Sequence, residues 1–151
     1  MTGHKKLSIL VADDSSVVRQ LLDLWLHKIC ACDVETVPDG LVAIQRINRA
    51  RDEGRNYDLV ITDLAMPNMN GIQLVERVRK LYAPVQLPVL VLTTFAGSDY
   101  REQAGRAGAS DYLTKPLRYF ELLRAVRRLF PGEYDRPAPE GHPSFRTAMA
   151  G

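Results

Sequence analysis

Cysteine is scarce in this sequence: only Cys30 and Cys32 occur in 151 residues. Two thiols exclude a disulfide framework and cannot build a four-ligand zinc site by themselves. Long apolar runs are missing too. The first, Leu7–Ala12, is far shorter than a signal-peptide core with its cleavage site, and none approaches the ~20 apolar residues of a membrane span. No excess of one charge is present, since 20 Lys and Arg face 18 Asp and Glu. A net charge of +2 does not by itself point to a nucleic-acid or membrane partner. No G-x-G-x-x-G phosphate loop follows any apolar run. A soluble, cytoplasmic protein is the expectation, without a membrane partner.

What is present is ordinary globular composition, with 46% hydrophobic and 25% charged residues. The length suits one domain with a short appendage. Five short apolar runs recur: Leu7–Ala12, Val34–Val37, Leu59–Thr62, Val89–Leu92 and Tyr112–Leu113. Segments with helical spacing follow them. Val18, Leu21, Leu22, Trp25 and Ile29 share one face, and Val42, Ala43, Ile47 and Ala50 do the same behind Asp39 as N-cap. Ile72, Leu74, Val75, Val78 and Leu81 make the third stripe. The fourth is weak, with Ser98 as its candidate cap, Gly105 inside it and a face of Ala104 and Ala107. Phe120, Leu123, Val126 and Phe130 form the fifth. Strand runs that do not alternate with polar residues suit parallel strands covered on both faces. The expected fold is α/β, a doubly wound five-stranded parallel sheet with five helices. The domain spans 6–130. The Pro- and Gly-rich stretch 131–151 reads as a disordered tail or linker.

In such sheets ligands bind outside the carboxyl ends of the strands. The residues there are Asp13-Asp14-Ser15 after the first run, Asp63 to Gly71 after the third, Thr93-Thr94 after the fourth and Thr114-Lys115-Pro116 after the fifth. Neighbouring strands lie about 4.8 Å apart, so Asp13, Asp14 and Asp63 would meet if the first and third strands pair. Clustered carboxylates repel by about 4 kcal/mol per close pair at an effective dielectric of about 20. A raised pKa or a cation must compensate. Hard oxygen donors without Cys or His favour Mg²⁺, and Lys115 adds a fixed positive charge. Capping of the first helix would account for one of the acids, but not for Asp63 and Lys115 at the same edge.

The segments Leu10 to Ser15, Asp63-Leu64-Ala65-Met66-Pro67-Asn68-Met69-Asn70-Gly71, Pro88 to Thr93 and Ala107 to Pro116 together resemble the receiver domains of chemotaxis-type response regulators. The resemblance covers residues 6–130. It implies a flavodoxin-like sheet in the order 2-1-3-4-5 and a role in two-component signalling, with no enzymatic turnover beyond self-phosphorylation and slow autodephosphorylation. It implies that Asp63 accepts a phosphoryl group from a phosphohistidine donor, and that Asp14 ligates Mg²⁺ directly and Asp13 through water. The Ala65 backbone carbonyl completes the protein ligands, and Mn²⁺ can substitute. Lys115 would pair with phosphoryl oxygens, Thr93 would be the switch hydroxyl, and Tyr112 the aromatic that moves with it. A cis Lys115–Pro116 peptide and a backbone turn permitted by Gly71 also follow from the resemblance.

The implied partners are a histidine kinase or histidine phosphotransfer protein upstream, and an output protein that reads the face of the fourth helix, fifth strand and fifth helix. A monomer or a phosphorylation-dependent dimer is expected. No helix-turn-helix is present, so this chain is not expected to bind DNA directly. Thr94 is larger than the usual residue after the switch position, which restricts donor access. Ala65 and Phe95 stand where the family tunes dephosphorylation, and Ala65 cannot orient a water, so slow self-hydrolysis is expected. The rivals fit less well. A haloacid-dehalogenase-like phosphatase needs a second acid two residues after the nucleophile, where Ala65 stands. A flavodoxin-like cofactor site would need a hydroxyl- and glycine-rich loop after the first strand, where Asp13 and Asp14 would repel phosphate. Cys30, Cys32, His4, His27 and His142 read as incidental, and Trp25 as a core position.

Overall fold

The computed structural model describes residues 6–94 and 98–132. Five strands alternate with five helices: β1 (Leu7–Ala12), α1 (Ser16–Ile29), β2 (Cys32–Val37), α2 (Gly40–Asp52), β3 (Leu59–Asp63), α3 (Gly71–Leu81), β4 (Val89–Thr93), α4 (Ser98–Ala107), β5 (Asp111–Thr114) and α5 (Tyr119–Leu129). The strands form one parallel sheet in the order β2-β1-β3-β4-β5, as expected. Because β1 lies between β2 and β3, the chain reverses direction of winding there. Sheets of this kind place their ligand site at such a reversal, here the carboxyl ends of β1 and β3.

Apolar residues on the two faces of the strands feed two cores. Leu10, Ala12, Val60, Val89 and Val91 point to the side covered by α2, α3 and Ala104 of α4. Leu7, Ile9, Val11, Leu59, Ile61, Leu90 and Leu92 point to the side covered by α1 and α5. Every residue of β3 and β4 is buried, which explains why those runs lack alternation. Burying each such Leu, Ile or Val contributes about 1.5–3 kcal/mol.

Local signals place the helix starts beside the sheet edge. The Ser15 hydroxyl caps α1 by accepting from Val18 N at 3.3 Å, and Asp39 caps α2 by accepting from Val42 N at 2.9 Å. Asn70 and Gln73 form a reciprocal capping box at the start of α3. Among the described residues, α5 has no side-chain cap bond.

Two local readings need correction. Strand β2 starts at Cys32 rather than Val34, because Cys32 pairs with Leu7 and both are buried. Cys30 and Cys32 are therefore core side chains. In α5 the buried residues are Leu122, Leu123, Ala125 and Val126, while Phe120 is exposed and lies edge-on to Tyr119. Trp25 is half-buried and packs edge-on against Tyr119, joining α1 to α5. The expected tail falls almost wholly on residues 133–151, which with Phe95 and His4 lie outside the described residues, as does the side chain of Ser98.

Candidate functional site

The sheet brings the separated acids together. Asp13 directly follows β1 and Asp63 ends β3; oxygens of Asp13, Asp14 and Asp63 lie within 4.8 Å of one another. Asp13 and Asp63 are buried, whereas Asp14 is exposed to solvent. Asp13 uses Oδ1 to accept from Ser15 N at 2.9 Å, and its backbone carbonyl accepts from Arg19 Nη1 at 2.7 Å. Asp63 Oδ1 accepts from Leu64 N at 2.8 Å. Asp13 and Asp63 thus each have one oxygen fixed by local backbone, which leaves Oδ2 for other partners.

Lys115 enters from the far side, one residue past β5 and before a cis Lys115–Pro116 peptide. Its ammonium lies 2.9 Å from Asp13 Oδ2 and 3.3 Å from Asp63 Oδ2. Burial pushes the Asp63 carboxyl above its ordinary range, with the Asp13 charge acting the same way, against the pull of Lys115 and the Leu64 N–H. Burial acts to lower Lys115, but the hydrogen bond to Asp13 and the charges of Asp63 and Asp13 outweigh it and raise its pKa. Lys115 pairs with two of the three carboxylates, Asp13 and Asp63, so the cluster carries more negative charge than this ammonium balances. All-oxygen donors with an unbalanced negative charge fit a hard divalent ion such as Mg²⁺.

Thr93 is buried at the end of β4, and its carbonyl accepts from Lys115 N at 2.7 Å. Tyr112 is half-buried on β5 with the Arg101 guanidinium 5.1 Å above its ring. Arg101, Ala104, Gly105, Ala109, Asp111 and Tyr112 line an open cavity of about 370 Å³ between α4 and β5. Ala65 and Thr94 are both exposed at the rim.

Gly71 is present for a different reason from the one expected. Its φ is not positive; instead, a Cβ there would lie 2.2 Å from Asp63 O and 2.9 Å from Leu64 Cα. The first turn of α3 sits directly on the backbone of the acidic strand end. The residue adopting the left-handed conformation in this loop is Asn68, at φ 68°. Sequence reasoning passed over Asn68 as a functional candidate, although Asn is enriched in that region of backbone space.

The family model for the response regulator receiver domain matches residues 9–127. The chemotaxis protein CheY-3 of Vibrio cholerae is 29% identical over 127 residues, covering 84% of this chain and 94% of that one. A crystal structure of CheY4 from Vibrio cholerae superimposes with a TM-score of 0.72 at 30% identity, covering 83% of this chain and 99% of that one. A response regulator/GGDEF domain protein gives a TM-score of 0.75 at 25% identity; this chain covers 49% of its length. The chain belongs to the response regulator receiver domain family, the signalling domains of two-component systems.

Proposed function

We propose that Asp63 is the phosphoacceptor of this receiver and that its phosphorylation resets the face formed by α4, β5 and α5. The observation that carries this reading is the Lys115 ammonium bridging Asp13 and Asp63 within a cluster of three crowded carboxylates. A lone pair of an Asp63 oxygen attacks the phosphorus of a phosphohistidine in a histidine kinase or histidine phosphotransfer protein. The new bond is O–P, the broken bond is P–N, and the imidazole nitrogen keeps the electron pair and takes up a proton. Lys115 is placed to hold negative charge on the transferred group, with no change of its own protonation. Asp14, Asp13, Asp63 and the Ala65 carbonyl would hold Mg²⁺, or Mn²⁺ in its place, and a bound ion would offset charge on the phosphoryl oxygens.

Phosphorylation adds charge and three strong acceptors beside β4 and β5. Thr93 would donate its hydroxyl to one of them, and its movement would release space for the Tyr112 ring. Small residues on α4, and Gly105 within it, make that helix the element most readily displaced. An output protein reading this face, in the cytoplasm, completes the proposed circuit. Among the described residues no helix is long and apolar enough to cross a membrane.

The test is incubation with acetyl phosphate, with and without Mg²⁺, followed by intact mass of the wild type and Asp63→Asn. One added phosphoryl group that requires both the ion and Asp63 is expected. Equal labelling of Asp63→Asn would remove Asp63 from the role.

A further inference from the structure

The β3–α3 loop, Leu64–Asn70, carries both the Ala65 carbonyl and the return to α3; its ends are pinned by Leu64 N to Leu92 O at 3.0 Å and Gly71 N to Leu64 O at 2.8 Å, which leaves its middle to other contacts. Pro67 has no N–H to give. The Met69 N–H bonds to Pro67 O at 2.7 Å, closing a three-residue turn around Asn68 at φ 68°. Turns of that kind are strained and persist only where surrounding structure holds them. The structure supplies that hold from the start of α2. Asp39 splits its two oxygens: Oδ1 caps α2 by accepting from Val42 N at 2.9 Å, and Oδ2 accepts from Asn68 Nδ2 at 2.8 Å. The next residue adds a second bond, Gly40 N to Met69 O at 3.2 Å. The approach is so close that a Cβ on Gly40 would lie 2.5 Å from that oxygen. Asp39 itself is buried.

We infer that Asp39 is a positioning residue for the phosphoacceptor loop: through Asn68 it locks the strained turn, and so fixes where the Ala65 carbonyl faces. The inference rests on the proposed site but goes beyond it, because Asp39 and Asn68 are not among the groups assigned to the ion or the phosphoryl group. A residue acting only as a helix cap would need one oxygen, and any good capping side chain would replace it. The second oxygen is what the loop requires.

The experiment uses the full chain with Asp39→Ser, which keeps a capping oxygen but cannot reach Asn68, and Asn68→Gly, which keeps the left-handed backbone but loses the amide. Hydrogen exchange of the loop amides is followed in EDTA, and Mg²⁺ affinity is measured by calorimetry on the unphosphorylated protein. Each single variant is expected to speed exchange in the loop and leave the α2 amides unchanged. Each should weaken Mg²⁺ binding by on the order of 10-fold, as for other partners that orient ligands from outside. The double variant should be no worse than either single one, because both break the same bond. Unchanged loop exchange, or single effects that add in the double variant, overturns the inference. Failure of the underlying site reads out separately: the wild type would then bind no Mg²⁺, and the exchange results alone would judge the lock.

Discussion

The Lys115 ammonium stands 2.9 Å from Asp13 Oδ2, although 102 residues separate the two along the chain. Asp13 is fully buried, so this contact is the charge partner its desolvated carboxylate needs. The same ammonium reaches Asp63 at 3.3 Å, which ties β1, β3 and the end of β5 into one electrostatic unit.

Removing that cation should disable the site. Lys115→Met is expected to lower the rate of phosphorylation by acetyl phosphate by ~10²-fold, the usual effect of losing one preorganised group that stabilises developing charge. Intact mass against time measures it. A rate within twofold of the wild type would show that Lys115 only neutralises Asp13.

Asp63→Asn should stabilise the cation-free protein. Burial and the Asp13 charge raise the Asp63 carboxyl, so its ionised form is disfavoured in the native state. That penalty is fully present above the native pKa and vanishes below the unfolded value near ~3.9. In excess EDTA at pH 7 the variant should therefore melt higher than the wild type, with the gap closing as pH falls toward about 4. Adding Mg²⁺ should narrow the gap from the other side, by stabilising only the wild type strongly. Melting curves at several pH values decide it.

Asp39 gives the opposite pH sign. The Val42 N–H, and behind it the Asn68 amide, hold its carboxyl below the ordinary range against the effect of burial. A depressed carboxyl contributes stability above the unfolded value, near ~3.9, and loses it as pH falls through the native value. Asp39→Ala should cost about 1 kcal/mol at pH 7, the usual worth of a cap. The difference should shrink only below about pH 4. Denaturant unfolding at pH 7 and pH 3 tests this.

Gly71→Ala tests packing against propensity. Alanine in a helix is favoured over glycine by up to about 1 kcal/mol. Here its Cβ would meet Asp63 O at 2.2 Å, which is backbone and cannot swing away. Net destabilisation of about 1–3 kcal/mol is expected from overpacking. A more stable variant would mean that α3 can slide off the strand end without cost.

Ala65→Asn should accelerate loss of the phosphoryl group. A methyl at this exposed rim position cannot orient an attacking water, whereas an amide can. The phosphorylated variant, desalted and sampled by intact mass, is expected to decay faster than the wild type. Equal decay would place control of hydrolysis elsewhere.

Much of this was legible along the chain. The cap at Asp39, the unbroken runs of β3 and β4, and the acids at strand ends follow from short-range chemistry. Boundaries set by partners were not. Cys32 joins β2 because Leu7 lies opposite, and Phe120 faces solvent because Leu122 takes the core position in α5. Gly71 was visible as a glycine, but its reason, the Asp63 carbonyl beneath it, is a contact between elements. The Asp39–Asn68 bond had no local signal: the residues lie 29 positions apart, and each has an adequate local role.

The sequence alone determined which side chains could bear the chemistry, because residue type, spacing from apolar runs and turn residues act within a few positions. Only the tertiary structure decided that they converge. Strand order puts β1 beside β3, the core on both faces holds that order, and desolvation at their ends turns ordinary acids and one lysine into an interacting cluster.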